Sequence, residues 1–319
     1  MNQYVKKTTD DEDLLALISD DEDVRLAMVR REILGAHAQL LLARDESWKV
    51  REALASRENL GEAAQLNLSS DDESWKVREA LAGRDNLAES VQLKLTFDGE
   101  EDVRLILAKN ENLGTPAQLL LASDESWKVR EALANRENMA EAVQLELSCD
   151  DDYDVCVALA GRDDLGEAAQ LNLTHDDNSN VREALAGRDN LVEAVQLNLA
   201  RDDDSDVRLA LARNENLGVL AQLQLVSDES WGVREALAGR DNLAEAVQLK
   251  LTRDDDSDVR EALAGRDNLA EAVQLNLACD DDSDVRLALA RNKSLGAPAR
   301  RLLAQDSDAD VREALAKKV

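Results

Sequence analysis

The sequence predicts an all-α fold, a solenoid of about twelve two-helix repeats, and three observations predict it. A core valine returns at Val24, Val50, Val77, Val103, Val129, Val155, Val181, Val207, Val233, Val259, Val285 and Val311, every 26 residues except for one 27-residue step from Val50 to Val77. A fixed period of this size marks stacked units that each contact only their neighbours. Within a unit the apolar residues fall at helical spacing, as in Val233, Ala236 and Leu237. No stretch shows the alternation of a strand, and no linker divides the interior.

The elements follow in order. Residues 1–13 are a polar lead-in ending in Asp10-Asp11-Glu12-Asp13, and residues 14–319 form one repeat domain, its first helix starting near Leu14. The first helix of each unit opens three residues before the valine. Asp21, Ser47, Ser74, Ser126, Asp152, Asn178, Asp204, Ser230, Asp256, Asp282 and Asp308 stand there as N-caps, and only Glu100 departs. Gly83, Gly161, Gly187, Gly239 and Gly265 read as C′ stops. The second helix opens with capping-box pairs, Asn86/Glu89, Asn190/Glu193, Asn242/Glu245 and Asn268/Glu271. Pro116 and Pro298 sit in its first turn, where a missing N–H costs little. The last unit stops after one helix, with Lys317 and Lys318 suiting the negative end of its dipole. A second unit type, Val103–Gln118, Val207–Gln222 and Val285–Arg300, has Leu for Glu two after the valine and Asn-Leu-Gly for Asn-Leu-Ala-Glu. Block duplication produces such a mixture, and so does a designed consensus array.

Composition narrows the function classes. The formal charge is −30, from 68 acidic against 38 basic residues, which repels nucleic acid and favours basic proteins or cations. Cys149, Cys156 and Cys279 have neither disulfide-framework nor zinc spacing. There is no signal-like or membrane-spanning apolar run, so a cytoplasmic monomer that avoids membranes is expected.

The pattern Asp-x-x-x-x-Val-Arg-x-x-x-Ala followed by Asn-x-x-x-x-x-x-Leu-x-x-Leu, as at 228–251, resembles the leucine-rich repeat variant family and, more broadly, HEAT-like helical repeats. The resemblance covers about residues 14–319 and implies a right-handed α-solenoid whose second helix is short or partly 3₁₀. It also implies that the Asp and Arg of this pattern (Asp228/Arg234, Asp254/Arg260) form an inter-repeat ladder. The Asp is expected in all twelve units and the Arg in eleven; Cys156 replaces it in one, which should be a soft point. The chain has few of the family's prolines and lacks the cysteine cluster that binds an iron–sulfur centre in some members, so no cofactor is expected.

Candidate chemistry is sparse. A site built twelve times is not an active site, His37 and His175 are the sole histidines, and no nucleophile–base set is visible, so no catalytic residue is assigned and the protein is read as no enzyme. The Asp202–Asp206, Asp254–Asp258 and Asp280–Asp284 runs lack the Gly and Glu of a calcium loop and read as caps and a solvated edge, so no metal site is assigned. The recurrent Gln39–Gln274 column reads as an amide ladder, its members satisfying each other or a turn.

Where the copies disagree, positions are free for recognition. The column six before the valine reads Arg44, Asp71, Phe97, Ser123, Cys149, His175, Arg201, Ser227, Arg253, Cys279 and Gln305, and three residues earlier stand Lys94 and Lys250. Both columns are placed on one face of the second helices, taken as the concave side. The Leu66–Leu275 row beside them reads either as a sign of 3₁₀ tightening or as an apolar floor. Trp48, Trp75, Trp127, Tyr153 and Trp231 share one position in the first turn of the first helix, where Ser also serves, so they are either anchors or covers for neighbouring apolar surface. The candidate ligand-binding set is therefore Trp48, Trp75, Trp127, Tyr153, Trp231, Phe97, Lys94, His175, Arg201, Lys250 and Arg253. The expected function is a non-enzymatic protein- or peptide-binding scaffold. The alternatives are an acidic polyanion mimic or cation binder, or a consensus array with no natural ligand.

Overall fold

The computed structural model describes residues 19–71 and 73–317. The lead-in, the helix start near Leu14 and Lys318 lie outside the described residues. Every regular element among those residues is an α-helix, and first and second helices alternate along the chain. Contacts divide the chain into two compact units, 1–159 and 160–319, with the boundary near the end of the Tyr153–Ala160 helix.

In the first unit, helices Glu22–Val29, Trp48–Ala55, Trp75–Ala82, Glu101–Lys109 and Trp127–Ala134 pack side by side. The second helices, from Ala36–Leu42 to Glu141–Leu147, form the other layer. The second unit repeats this plan, with first helices from Ser179–Ala186 to Ala309–Ala316 and second helices from Glu167–Leu173 to Ala297–Leu303. Each unit is thus a two-layer α-solenoid. In both layers helices pack on their counterparts one repeat away, and the first helices approach one another more closely than the second ones do.

The core follows the valine register. Val233, Leu237 and Ala238 of one first helix, and Val247 and Leu251 of the second helix behind it, are buried. Each fully buried Val or Leu contributes ~1.5–3 kcal/mol, which lets eight-residue helices persist although isolated helices this short do not.

Several local expectations need correction. Asp21, Asn178, Asp204, Asp256, Asp282 and Asp308 cap as expected, accepting the N–H two residues on. Ser47, Ser74, Ser126 and Ser230 make no side-chain cap. Gly83, Gly187, Gly239 and Gly265 do end helices, but none of the described residues has positive φ, so Ser56 and Asn135 serve at the same place. The Asn/Glu capping boxes do not form. Glu245 is the first helical residue and Ala244 the N-cap, leaving Asn242 outside the helix. Pro116 and Pro298 occupy the first turn as expected. The second helices are α rather than 3₁₀, and Leu66, Leu145 and Leu223 lie exposed on them, the apolar-floor alternative. Lys317 closes the last helix and pairs with Glu313.

Candidate binding surface

Most of the polar residues that recur in every unit are spent on joining repeats. Arg234 donates Nε–H to Asp254 Oδ2 at 2.7 Å and Nη2–H to Oδ1 at 3.0 Å, while its Nη1 reaches the Asp228 carbonyl at 2.6 Å. Each arginine therefore binds the carboxylate of the following repeat and the backbone of its own. The pattern runs in the first unit from Arg25–Asp45 to Arg130–Asp150, and in the second from Arg182–Asp202 to Arg286–Asp306. The aspartate in turn accepts the N–H of the helix N-cap, as from Ser230 to Asp228 Oδ1 at 2.9 Å. The same bond is made where the N-cap is aspartate, as from the Asp256 N–H to Asp254 Oδ1 at 3.0 Å.

Two assignments shift here. Arg51 pairs with buried Asp71, which belongs to the ladder and not to the variable column. The first repeat has no ladder aspartate of its own: Ser19 stands at that position, giving its carbonyl to Arg25 at 2.8 Å and its Oγ to the Asp21 N–H at 3.2 Å. Cys156 is buried with its thiol 3.3 Å from the Asp150 carbonyl, taking over the local bond that arginine makes elsewhere.

Burial raises the carboxyls of Asp202, Asp254 and Asp280, but the bonds from Arg182, Arg234 and Arg260, together with those from the backbone N–H groups of Asp204, Asp256 and Asp282, hold them below the usual aspartate range. The bond from Arg286 holds Asp306 below that range too. Hydrogen bonding to the aspartates likewise raises Arg208 and Arg234 above the ordinary guanidinium value.

The glutamines do not stack on one another. Gln248 donates to the Leu243 carbonyl at 3.1 Å and to the Asn268 carbonyl of the next repeat at 3.3 Å, and its Oε1 accepts the Ala270 N–H at 3.1 Å. Ala270 is the N-cap of the next second helix, so one repeat caps its successor.

A third fastener was not anticipated. Arg84, Arg136 and Arg240 donate Nη1–H to the carbonyls of Ala55, Ala108 and Ala212, in the last turns of the preceding first helices. Asn110, Asn214 and Asn292 do the same in the second unit type. The position is Arg or Asn from Arg57 through Asn292, an invariance visible in the sequence. Burial pushes Arg84, Arg188 and Arg240 below the usual guanidinium value. Asn86 and Asn242, expected to cap, instead accept from Arg84 and Arg240.

What remains is the exposed residue set. Trp48, Trp75, Trp127, Tyr153 and Trp231 are 37%, 39%, 40%, 52% and 52% exposed at the first-helix N-termini. The Lys76 ammonium lies 5.2 Å from the Trp48 ring centroid, a cation–π contact across repeats. At equivalent places Lys49 meets Glu22 at 3.2 Å and Lys128 meets Glu101 at 3.0 Å. An exposed acid follows the buried ladder aspartate, such as Asp255 beside Asp254 and Glu229 beside Asp228, and the ladder arginine touches both. The first-helix N-termini therefore form an aromatic and acidic edge.

The variable column lies elsewhere than expected. Phe97, 75% exposed, stands in the turn beyond the Glu89–Leu95 helix and not on it. Lys94 and Lys250 donate to Ser70 and Ser227 of the preceding repeat. His175 Nδ1 lies 2.9 Å from Thr174 Oγ1 and 3.0 Å from the Leu171 carbonyl. Arg201 and Arg253 are exposed at the equivalent turns.

Hollows lie on the first-helix face of each unit. One of about 580 Å³ is lined by Leu105, Trp127, Glu131 and Ala132. Another of about 770 Å³ lies at Glu183, Ala184, Arg188 and Ala210, and a third of about 620 Å³ at Glu235, Asp258, Glu261 and Ala262. Among the described residues no acidic or thiol cluster is arranged to hold a metal, and no helix is long and apolar enough to cross a membrane.

No family model matches the chain, and no curated protein matches it. Among solved structures it is similar to a leucine-rich repeat variant with a novel repetitive structural motif, at 24% identity over 70% of this chain and 88% of that one, TM-score 0.48. It is also similar to the Escherichia coli protein YibA, at 16% identity over 97% and 92% of the two chains, TM-score 0.19. A third is a set of computationally designed armadillo repeat proteins for modular peptide recognition, at 16% identity over 89% and 98%, TM-score 0.13.

Proposed function

We propose that the protein is a non-enzymatic scaffold that binds a protein or peptide segment, a basic one above all. One observation carries this reading. The recurrent polar side chains are engaged in bonds that join repeats, and the recurring groups facing solvent at the first-helix N-termini are tryptophans and carboxylates. Tryptophan at a position that serine also fills is dispensable to the fold and suited to anchoring a partner. Carboxylates 88–96% exposed, as at Glu229 and Asp281, touch a ladder arginine yet stay open to solvent.

The polyanion-mimic reading draws on those same acids and predicts a different salt response. An affinity pull-down compares the wild type with a Trp48→Ala/Trp75→Ala/Trp127→Ala/Trp231→Ala variant at low and high salt. Partners lost by the variant while the wild type keeps them support the anchored scaffold. Partners lost equally by both as salt rises support the mimic and would sink the scaffold.

A further inference from the structure

Trp231 is the most exposed of the tryptophans, at 52% against 37–40% for Trp48, Trp75 and Trp127. Those three are each followed by a lysine (Lys49, Lys76, Lys128), whereas Trp231 is followed by Gly232. The fold does not ask for that glycine. Beyond its chain neighbours, a Cβ added at Gly232 would meet only Ser230 Oγ, at 3.8 Å, and no described glycine has positive φ. Glycine weakens the helix it stands in, and what it provides here is an indole with no lysine stem beside it.

The position that faces such a ring from the next repeat is fixed as well. Lysine there reaches back one repeat, from Lys49 to Glu22, from Lys76 to the Trp48 ring and from Lys128 to Glu101. Helices Trp231–Ala238 and Ser257–Ala264 pack side by side through the same ladder bond, which sets exposed Asp258 where Lys76 stands over Trp48. Glu229, 88% exposed, lies two residues before Trp231 in the turn. The ladder arginines beside them, Arg208 and Arg234, are already held by Asp228 and Asp254. One tryptophan thus carries a cation from its own chain, and another has acids where that cation would be.

We propose that Trp231 is the seat for one alkylammonium group, the side chain of a partner's lysine, lying over the indole with Glu229 and Asp258 as its counter-charges. The proposal rests on the scaffold reading above and names the residue at which a basic partner is anchored. The Lys76 ammonium, 5.2 Å from the Trp48 ring centroid, shows the same contact made within the chain. The ring face attracts the cation, and the carboxylates add an attraction that an uncharged group does not feel.

The test follows the indole N–H signals of the intact, isotope-labelled chain by NMR, with Trp48→Phe and Trp231→Phe assigning the two that matter. The probe is n-butylammonium, titrated at constant ionic strength, and n-butanol is the uncharged control. Trp231 should shift at least about threefold more than Trp48 at equal n-butylammonium, and should respond little to n-butanol. Asp258→Lys copies the Lys76 arrangement with a residue that already serves at Lys49, Lys76 and Lys128. With its helices shown intact by circular dichroism, that variant should lose the Trp231 response, and Lys76→Asp should raise the Trp48 response to match Trp231. Equal shifts of the two indoles in the wild type, or a Trp231 response that survives Asp258→Lys, overturn the seat. An equal response to n-butanol overturns its preference for a cation. The scaffold reading is judged apart from this by the pull-down: partners kept by Asp258→Lys but lost by the variant lacking the tryptophans overturn the seat and leave the scaffold standing.

Discussion

Arg234 and Asp254 stand 20 residues apart in the chain and meet in a two-bond pair, with only 11% and 5% of their side chains exposed. A pair this buried is costly to break on one side, because the group left behind keeps its charge without its partner. Asp254→Asn should therefore destabilise the protein by about 3–5 kcal/mol, far more than an exposed ion pair would. Urea unfolding followed by circular dichroism measures it. A loss below about 1 kcal/mol would show the pair to be ornamental.

The ladder also sets a pH dependence. The folded-state carboxyl of Asp254 is held below the ordinary value of about 3.9, so acid protonates the unfolded chain first. Its contribution is complete above that value and is lost as pH falls through the lowered folded one. The stability gap between wild type and Asp254→Ala should thus be widest near neutrality and should narrow below about pH 4. A gap that grows on acidification contradicts the sign. Comparing the two proteins cancels the charge repulsion that both share.

Gln248 gives two hydrogen bonds and accepts one, each to backbone that lies inside or between repeats. Gln248→Leu fills similar space yet strands those groups, and should cost ~1–3 kcal/mol or more. Hydrogen exchange checks the location, since the Ala270 amide should lose protection first. Unchanged protection there would remove the capping role.

The Lys76–Trp48 contact is exposed, so it should contribute only ~0.5–1 kcal/mol. Lys76→Arg should keep this and Lys76→Gln should lose it. Either change should leave helix content as it is. A several-kcal/mol effect would mean that the Trp48 edge is structural.

How much of this was legible depended on where each residue's partner lies. The Asp/Arg ladder was readable because both partners are side chains in fixed register, so their pairing repeats as a visible motif. The Arg84 and Arg240 fasteners were not, because they bind carbonyls of the preceding helix and a backbone acceptor leaves no letter in the sequence. The glutamine column announced an interface but not its partners, for the same reason. Ser230 looked like a cap because serine usually is one, yet its side chain accepts no helix N–H, while Asp256 at the same position accepts one. Asp71 was misassigned because the single inserted residue hides the register, and only its bond to Arg51 restores it. The tryptophan positions were found from their interchange with serine.

The central claim is that the recurrent polar residues tie each repeat to its neighbour. A double-mutant cycle on Arg234→Ala and Asp254→Ala, read by equilibrium unfolding, tests it most directly. If the two groups share one inter-repeat bond, the double variant loses much less than the sum of the single losses, with a coupling of about 1.5 kcal/mol or more. Losses that add to within about 0.5 kcal/mol would place the two side chains in separate roles and contradict the account.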